Sequence, residues 1–204
     1  LHLSIRRQRQ MCIRDRLNPV KYESFSFNAG SQIGDVISAA QSRIIQKESL
    51  DMPLFLAATE ADSVINLEYL VTQFRERFSN PGNAMMIFRD TRKPWPVAQA
   101  DERIRFLSSY LPDANILEFS HQSLLIAPDN ELYGLGAPLQ RCLEPNNISL
   151  EGCRQLPEED LWFSAWHDTE RPVYTSRLTY NPWFDDLAEA VGTFIQANES
   201  GEAP

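Results

Sequence analysis

The chain has 204 residues, of which 43% are hydrophobic and 23% charged, a composition that is typical of one globular domain and excludes a disordered chain. It contains no apolar run close to the roughly eighteen residues that a membrane-spanning helix needs. The net charge is -9, and residues 1–16 contain five of the 19 basic residues but one of the 28 acidic ones, so the remainder is strongly acidic and unsuited to binding nucleic acid.

Residues 1–16, LHLSIRRQRQMCIRDR, are rich in arginine and lack the apolar core of a signal peptide. A basic arm that binds an anionic partner is one interpretation. The run MCIRD is also what the codons ATG TGT ATA AGA GAC encode, and it resembles the translation of a transposon end used in sequencing libraries. We therefore expect residues 1–16 to be foreign and disordered. The native sequence would then enter in mid-gene near Leu17, with residues 17–204 as the folded domain.

Helix and strand patterns alternate after this segment. A turn signal at residues 28–30 (NAG) precedes apolar residues at helical spacing over 33–45, which predict a helix that ends near Asp51. The apolar run over 53–58 predicts a short buried strand of a parallel sheet. Apolar residues at helical spacing over 67–78 predict a second helix, which the following Asn-Pro-Gly run ends.

The middle of the chain continues this alternation. Residues 84–88 (AMMIF) predict a second buried strand. Residues 104–111 have apolar residues at helical spacing and are predicted as a helix that ends at Pro112, before a third strand over 115–119. The order strand, helix, strand, helix, strand favours an α/β fold of three layers, with a mainly parallel sheet flanked by helices.

The last third of the chain has less pattern. Residues 128–180 lack a clear period, so they are predicted as extended loops packed over the sheet. Asn181 and Pro182 then form an N-cap followed by a proline at the first helical position. Apolar residues at helical spacing over 183–195 predict a last helix, and residues 198–204 are predicted as a frayed tail.

Two side chains suited to acid–base chemistry follow predicted strands. Asp62 comes four residues after the first apolar run, and His121 comes directly after the third predicted strand. Catalytic groups gather beyond the carboxyl ends of parallel strands, and an acid followed by a histidine fits the chain order Ser…Asp…His of α/β-hydrolases. In that chemistry the imidazole accepts the serine proton and the carboxylate fixes the tautomer of the imidazole.

Both residues also have simpler interpretations. Asp62 precedes a predicted helix and could be its N-cap, and a single histidine is commonly a surface or core residue. His167 follows no predicted strand and is interpreted as structural. A complete, non-enzymatic βαβ binding module, in which Asp62 and His121 are ordinary loop residues, therefore stays open as the alternative function.

Four stretches in this order carry a family resemblance: KYESF with NAG (residues 21–30), TEADSV (59–64), SHQSL with PDNELYG (120–134) and RLTYNPWF (177–184). They resemble bacterial α/β-hydrolases of the serine aminopeptidase and lysophospholipase-like type, over nearly all of residues 17–204. One departure is Glu131, where the family prefers proline. The resemblance implies the C-terminal portion of an α/β-hydrolase fold, Asp62 and His121 as triad members, and a small-molecule ester or amide as substrate.

The nucleophile of such a triad is missing from the sequence. Its signature is G-x-S-x-G, and the only two glycines four positions apart are Gly30 and Gly34, with Gln32 between them. No phosphate-binding loop or zinc-ligand spacing is present either, so no cofactor and no metal are predicted. We expect the serine in an upstream half outside this chain. The 204-residue chain alone would then be inactive. It would also expose an apolar sheet edge, which would lower its solubility.

The cysteines leave the compartment open. Cys142 and Cys153 bracket a loop and could form a disulfide, but two free thiols fit the sequence as well. The sequence therefore fixes neither the localisation of the protein nor its oligomeric state.

Overall fold

The structure is a computed structural model of the chain and describes residues 27–46, 49–95, 101–142, 148–165 and 173–200. Residues 1–16, which were predicted to be foreign and disordered, lie outside the described residues, as do His167 and the KYESF run. The chain divides into two compact units, Leu1–Glu48 and Ser49–Pro204, and each is described by itself.

The described part of the first unit is helix α1, Phe27–Gln46. The helix predicted from the apolar spacing is confirmed, although it ends at Gln46 and not near Asp51. The turn predicted at residues 28–30 is wrong, because these residues form the first turn of the helix. Asn and Gly are common at helix starts, so the run needs no separate turn. The apolar residues Ile33, Val36 and Ile37 are exposed.

The second unit contains a three-stranded parallel sheet with the strand order β1-β2-β3. Strand β1 is Phe55–Thr59, helix α2 is Leu67–Arg77 and strand β2 is Ala84–Arg89, as the sequence predicted. Helix α2 is the crossover between the two strands, and it begins where the Asn66 side chain accepts a hydrogen bond from the Tyr69 backbone N–H at 2.9 Å.

The third strand is not where the sequence placed it. Residues predicted as a helix over 104–111 form strand β3, Ile104–Ser108, which pairs with β2 from Met85↔Ile104 to Arg89↔Ser108. A short segment with few apolar residues fits both the helical and the strand period, and pairing with the free edge of β2 decides between them. The helical prediction over 104–111 is therefore wrong.

The segment predicted as the third strand, residues 115–119, adds no strand to this sheet. Ile116 makes an antiparallel bridge with Leu111 and a parallel bridge with Phe163. The Leu117 N–H donates to the Phe163 carbonyl at 2.8 Å. The segment is extended, as predicted, but it pairs with a later part of the chain, because β3 already occupies the neighbouring position beside β2.

Residues 128–180 contain more regular structure than the predicted loops. Helix α3, Leu150–Gln155, is followed by strands β4, Leu161–Ser164, and β5, Tyr174–Arg177, which pair in parallel. A disulfide joins Cys142 to Cys153 and resolves the alternative that the sequence left open. Strands of four residues are too short to show a period in the sequence, which explains why the loop prediction was wrong here.

The core lies on both faces of the sheet, as period-two alternation along β2 requires. Met85 and Ile87 point to one face, where they pack with Val71 and Phe74 of helix α2. On the other face the buried residues come from β2, from the segment after β3 and from the C-terminal part of the chain: Met86, Phe88, Ile116, Phe119, Leu124, Leu178, Tyr180 and Leu187. The architecture is therefore α/β, with a small parallel sheet flanked by helices.

Helix α4, Phe184–Ser200, closes the second face of the sheet through Leu187. The predicted cap at Asn181 is present, because its Oδ1 accepts the Trp183 N–H at 2.9 Å, although the helix begins at Phe184 and not at Pro182. The helix continues through residues 198–200, which were predicted as a frayed tail. None of the helices that the structure describes is long and apolar enough to cross a membrane.

Candidate active site

The two residues selected from the sequence meet beyond the carboxyl end of strand β1. Asp62 follows β1 by three residues, and His121 begins a short 3-10 turn, His121–Ser123. The Nδ1 atom of His121 lies 2.7 Å from Oδ2 of Asp62. The predicted convergence of these two side chains is therefore confirmed, while their catalytic role stays a prediction.

The Asp62 carboxylate is buried and fixed by the backbone that follows it. Its side chain is 1% exposed. Oδ1 accepts hydrogen bonds from the N–H groups of Val64 at 2.8 Å and Ile65 at 3.3 Å. The interpretation of Asp62 as the N-cap of α2 is wrong, because Asn66 fills that position. With Oδ1 occupied by the backbone, Oδ2 is the oxygen that faces His121.

The imidazole of His121 has one buried and one accessible side. Nδ1 is buried against Asp62, whereas the side chain as a whole is 38% exposed. The exposed fraction therefore lies on side-chain atoms other than Nδ1. A general base needs Nδ1 against a carboxylate and Nε2 open to a reacting hydroxyl, and the first of these two features is present.

The contact between the two side chains is close but not aligned. The 2.7 Å separation is that of a charge-assisted hydrogen bond, yet neither Nδ1 nor Asp62 Oδ2 makes a well-formed hydrogen bond with any described residue. A rotation of the imidazole ring would align the two atoms without moving the backbone. Catalytic hydrogen bonds in unliganded sites are often poorly aligned and tighten when substrate binds.

Two hydroxyl groups beside the pair in sequence were missed by the sequence analysis. Thr59 Oγ1 and Ser120 Oγ are buried and have no hydrogen-bond partner among the residues that the structure describes. Buried polar groups without partners are rare in native proteins, but Asn83 Nδ2 and Ser176 Oγ share this property here, so it does not by itself assign a role to either hydroxyl. A signal existed in the sequence, since both are polar residues at the ends of apolar segments, but such positions are too common to single them out.

A charged network joins the loops after β1 and β2. Glu60 Oε2 accepts the Asp90 N–H at 3.1 Å, and Asp90 receives hydrogen bonds from the Arg92 side chain at 2.8 Å. The Arg92 guanidinium lies 3.3 Å from the centre of the Tyr110 ring. Hydrogen bonding from Arg92 lowers the pKa of Asp90 from 3.8 to about 2. This network fixes the loop beside Asp62 and was not predicted from the sequence.

Over the described ranges, no group of three or more His, Cys, Asp or Glu residues is arranged to hold a metal ion. An open cleft lies at the opposite end of the sheet, near Asn83 and Arg103, and includes neither Asp62 nor His121. In the same ranges no hydroxyl or thiol side chain hydrogen-bonds to His121.

Comparisons of the sequence with protein-family profiles and characterised proteins, and of the structure with solved structures, gave no match. The family resemblance of the four motifs therefore stays a prediction from the sequence.

Proposed function

We propose that Asp62 and His121 are the acid and the base of a Ser-Asp-His triad in an α/β-hydrolase that cleaves carboxylic ester or amide bonds. The observation that carries the proposal is the 2.7 Å contact between His121 Nδ1 and Asp62 Oδ2. Chain order and motif in the sequence point to the same two residues.

The two side chains would divide the chemistry in the usual way. His121 Nε2 would take the proton of the attacking serine hydroxyl and later give it to the leaving group. Asp62 would hold the proton on Nδ1 and stabilise the imidazolium that forms. The buried position of the carboxylate supports this role, because a charge interaction is stronger away from solvent.

The serine itself would come from polypeptide outside these 204 residues, since the sequence contains no G-x-S-x-G run. The oxyanion hole would lack a donor for the same reason, because one of its N–H groups belongs to the residue after the serine. The chain alone is therefore expected to be inactive, and its substrate would be set largely by the part that carries the serine.

The sheet offers a position for the strand that carries this serine. Among the described strands, β1 is at the edge and pairs with β2 alone. A parallel strand added beside β1 would end on the same side as Asp62, because the carboxyl ends of parallel strands share one edge. On this proposal, the three-stranded sheet is the C-terminal portion of a larger α/β-hydrolase sheet.

The chain alone tests the division of the triad. The 204-residue protein is predicted to show no turnover of p-nitrophenyl esters and no covalent labelling by a fluorophosphonate probe, with the His121→Ala variant as the background control. If a soluble monomer hydrolyses the ester and the His121→Ala variant does not, the chain contains its own nucleophile and the division proposed above is wrong.

A further inference from the structure

We infer that Ser123 and Asn181 are positioning residues that hold the turn carrying His121 against Asp62. This inference rests on the proposed function, because the geometry to be maintained is that of the proposed acid–base pair. It also assigns a role to the RLTYNPWF run, which ends at the start of helix α4 and supplies Asn181.

The turn that carries His121 has little support of its own. It is a 3-10 turn of three residues, His121–Ser123, and the side chain of the preceding Ser120 makes no capping hydrogen bond. Turns of this kind have poorer hydrogen-bond geometry than α-helices and are used in short pieces. Phe119 and Leu124, which flank the turn, are buried in the core, whereas Leu125 is 84% exposed. The position of the turn must therefore come from tertiary contacts.

Ser123 supplies the first of these contacts. It is fully buried, and its Oγ donates a hydrogen bond to the carbonyl of Leu178 at 2.6 Å. Leu178 is itself buried in the same core as Phe88 and Phe119, on the face of the sheet that helix α4 covers. The last residue of the turn is thus tied to a segment that the core fixes.

Asn181 supplies two more contacts from one fully buried residue. Its Nδ2 donates to the Leu124 carbonyl at 3.1 Å, and its backbone N–H donates to the Ile126 carbonyl at 2.8 Å. Its Oδ1 accepts the Trp183 N–H at 2.9 Å. Asn181 therefore joins the segment that follows His121 to the start of helix α4.

These three hydrogen bonds involve residues 123, 124 and 126, and none of them involves the imidazole of His121. They would act through backbone placement, and the effect on the pair can be large because a charge-assisted hydrogen bond weakens steeply with misalignment. The Asp62 side of the pair is fixed separately, by the N–H groups of Val64 and Ile65. Loss of a bond from Ser123 or Asn181 should thus displace His121 from a stationary carboxylate.

The test is the tautomer of His121, read from long-range ¹H–¹⁵N correlation spectra of the full chain labelled with ¹⁵N-histidine. The chain contains three histidines, and a His121→Gln variant assigns the signal. The wild type is expected to hold its proton on Nδ1 at neutral pH and to lose this preference in Asp62→Ala. The Ser123→Ala and Asn181→Asp variants are expected to show the same loss in part.

Asn181→Asp is informative because the carboxylate keeps an acceptor for the Trp183 N–H and removes the donor to the Leu124 carbonyl. Ser123→Ala deletes one hydroxyl and is the test variant to use if Asn181→Asp does not fold.

Two control variants separate a positioning role from general destabilisation. Asn198→Ala removes an exposed amide on helix α4, and Val71→Ala weakens the core on the face of the sheet that helix α2 covers. Both controls are expected to keep the wild-type tautomer.

Each outcome decides between the two proposals. Loss of the Nδ1 preference in Ser123→Ala and Asn181→Asp, with both controls unchanged, supports the positioning role. Retention of the wild-type spectrum in folded Ser123→Ala overturns that role and leaves the proposed function intact. If wild type and Asp62→Ala give the same His121 spectrum, the acid–base pair itself is absent and the proposed function fails.

Discussion

Asp62 and Asn66 divide between them the backbone N–H groups that lead into helix α2. Asp62 Oδ1 accepts from Val64 and Ile65, and Asn66 Oδ1 accepts from Tyr69. Because Asn66 caps the helix, the second oxygen of Asp62 is available to His121. The run TEADSV (59–64) thus contains the candidate catalytic residue Asp62, and the capping residue Asn66 lies two positions after the run.

This division predicts separable effects of substitution. Asn66→Ala should lower the free energy of unfolding by about 1 kcal/mol, since it removes an N-cap hydrogen bond, and should leave the His121 tautomer unchanged. Urea unfolding measures the first effect, with the exposed Asn198→Ala as control. A changed tautomer with unchanged stability would mean that Asn66 acts on the pair and not on the helix.

The acidity of Asp90 gives a prediction on pH. Because Arg92 holds the pKa of Asp90 at about 2, below the ordinary value near 3.9, the folded state binds fewer protons than the unfolded state between these pH values. The stabilisation is therefore fully present above about pH 4 and is lost as the pH falls through 2. Carboxyl NMR titration should show the pKa of Asp90 rising toward its ordinary value in Arg92→Ala.

Lys93→Ala is the matched control for this titration. In the wild type, Lys93 Nζ lies 3.7 Å from Asp90 Oδ2, and it lowers the pKa of Asp90 less than the Arg92 hydrogen bonds do. If Lys93→Ala and Arg92→Ala shift the pKa of Asp90 equally, general charge and not the Arg92 hydrogen bonds controls it.

The disulfide predicts a thiol count and a stability change. The sequence has three cysteines, so the denatured, unreduced chain should react with a thiol reagent once, at Cys12, and three times after reduction. The double variant Cys142→Ala with Cys153→Ala should lower the free energy of unfolding by about 3 kcal/mol, the effect expected for a bridge that closes a short loop. Three reactive thiols before reduction would show that the bridge does not form.

The accuracy of the sequence predictions followed how clearly each pattern fits a single period and not its length, since β1 and β3 both have five residues. Strands β1 and β2 and helix α2 have enough apolar residues in one period to be recognised, and each lies where it was predicted. Strand β3 has five residues whose apolar spacing fits two periods, and only its register with β2 shows which one applies. Local pattern cannot supply that information, because it depends on a neighbouring strand.

The candidate site shows the same limit. Asp62 and His121 could be selected because their residue types and chain order point to a known chemistry. The contacts of Ser123 and Asn181 could not, since a serine and an asparagine fit many surface positions and their hydrogen-bond partners lie more than fifty residues away in the chain. The cap at Asn181 was predicted from the sequence, whereas its hydrogen bond to the Leu124 carbonyl could be found only from the folded structure.

The segment before His121 gives a core prediction. The rings of Phe119 and Phe88 lie 5.4 Å apart, and both residues are fully buried. Phe119→Ala should lower the free energy of unfolding by about 3–5 kcal/mol, as expected for a large-to-small change in a core. Phe106→Ala, at a position that is 37% exposed, is the matched control and should lower the free energy of unfolding clearly less than Phe119→Ala does. Equal losses in urea unfolding would contradict the packing of this segment on the sheet.

The central claim, that this chain supplies the acid and the base of a serine hydrolase, is tested most directly by fluorophosphonate labelling of the protein encoded by the complete gene. The claim predicts a reading frame that continues upstream of Leu17 and encodes G-x-S-x-G, with the probe attached to that serine. Labelling should fall by orders of magnitude in His121→Ala and persist in Asn198→Ala. An unlabelled full-length protein without such a run, or labelling that His121→Ala leaves unchanged, would contradict the claim.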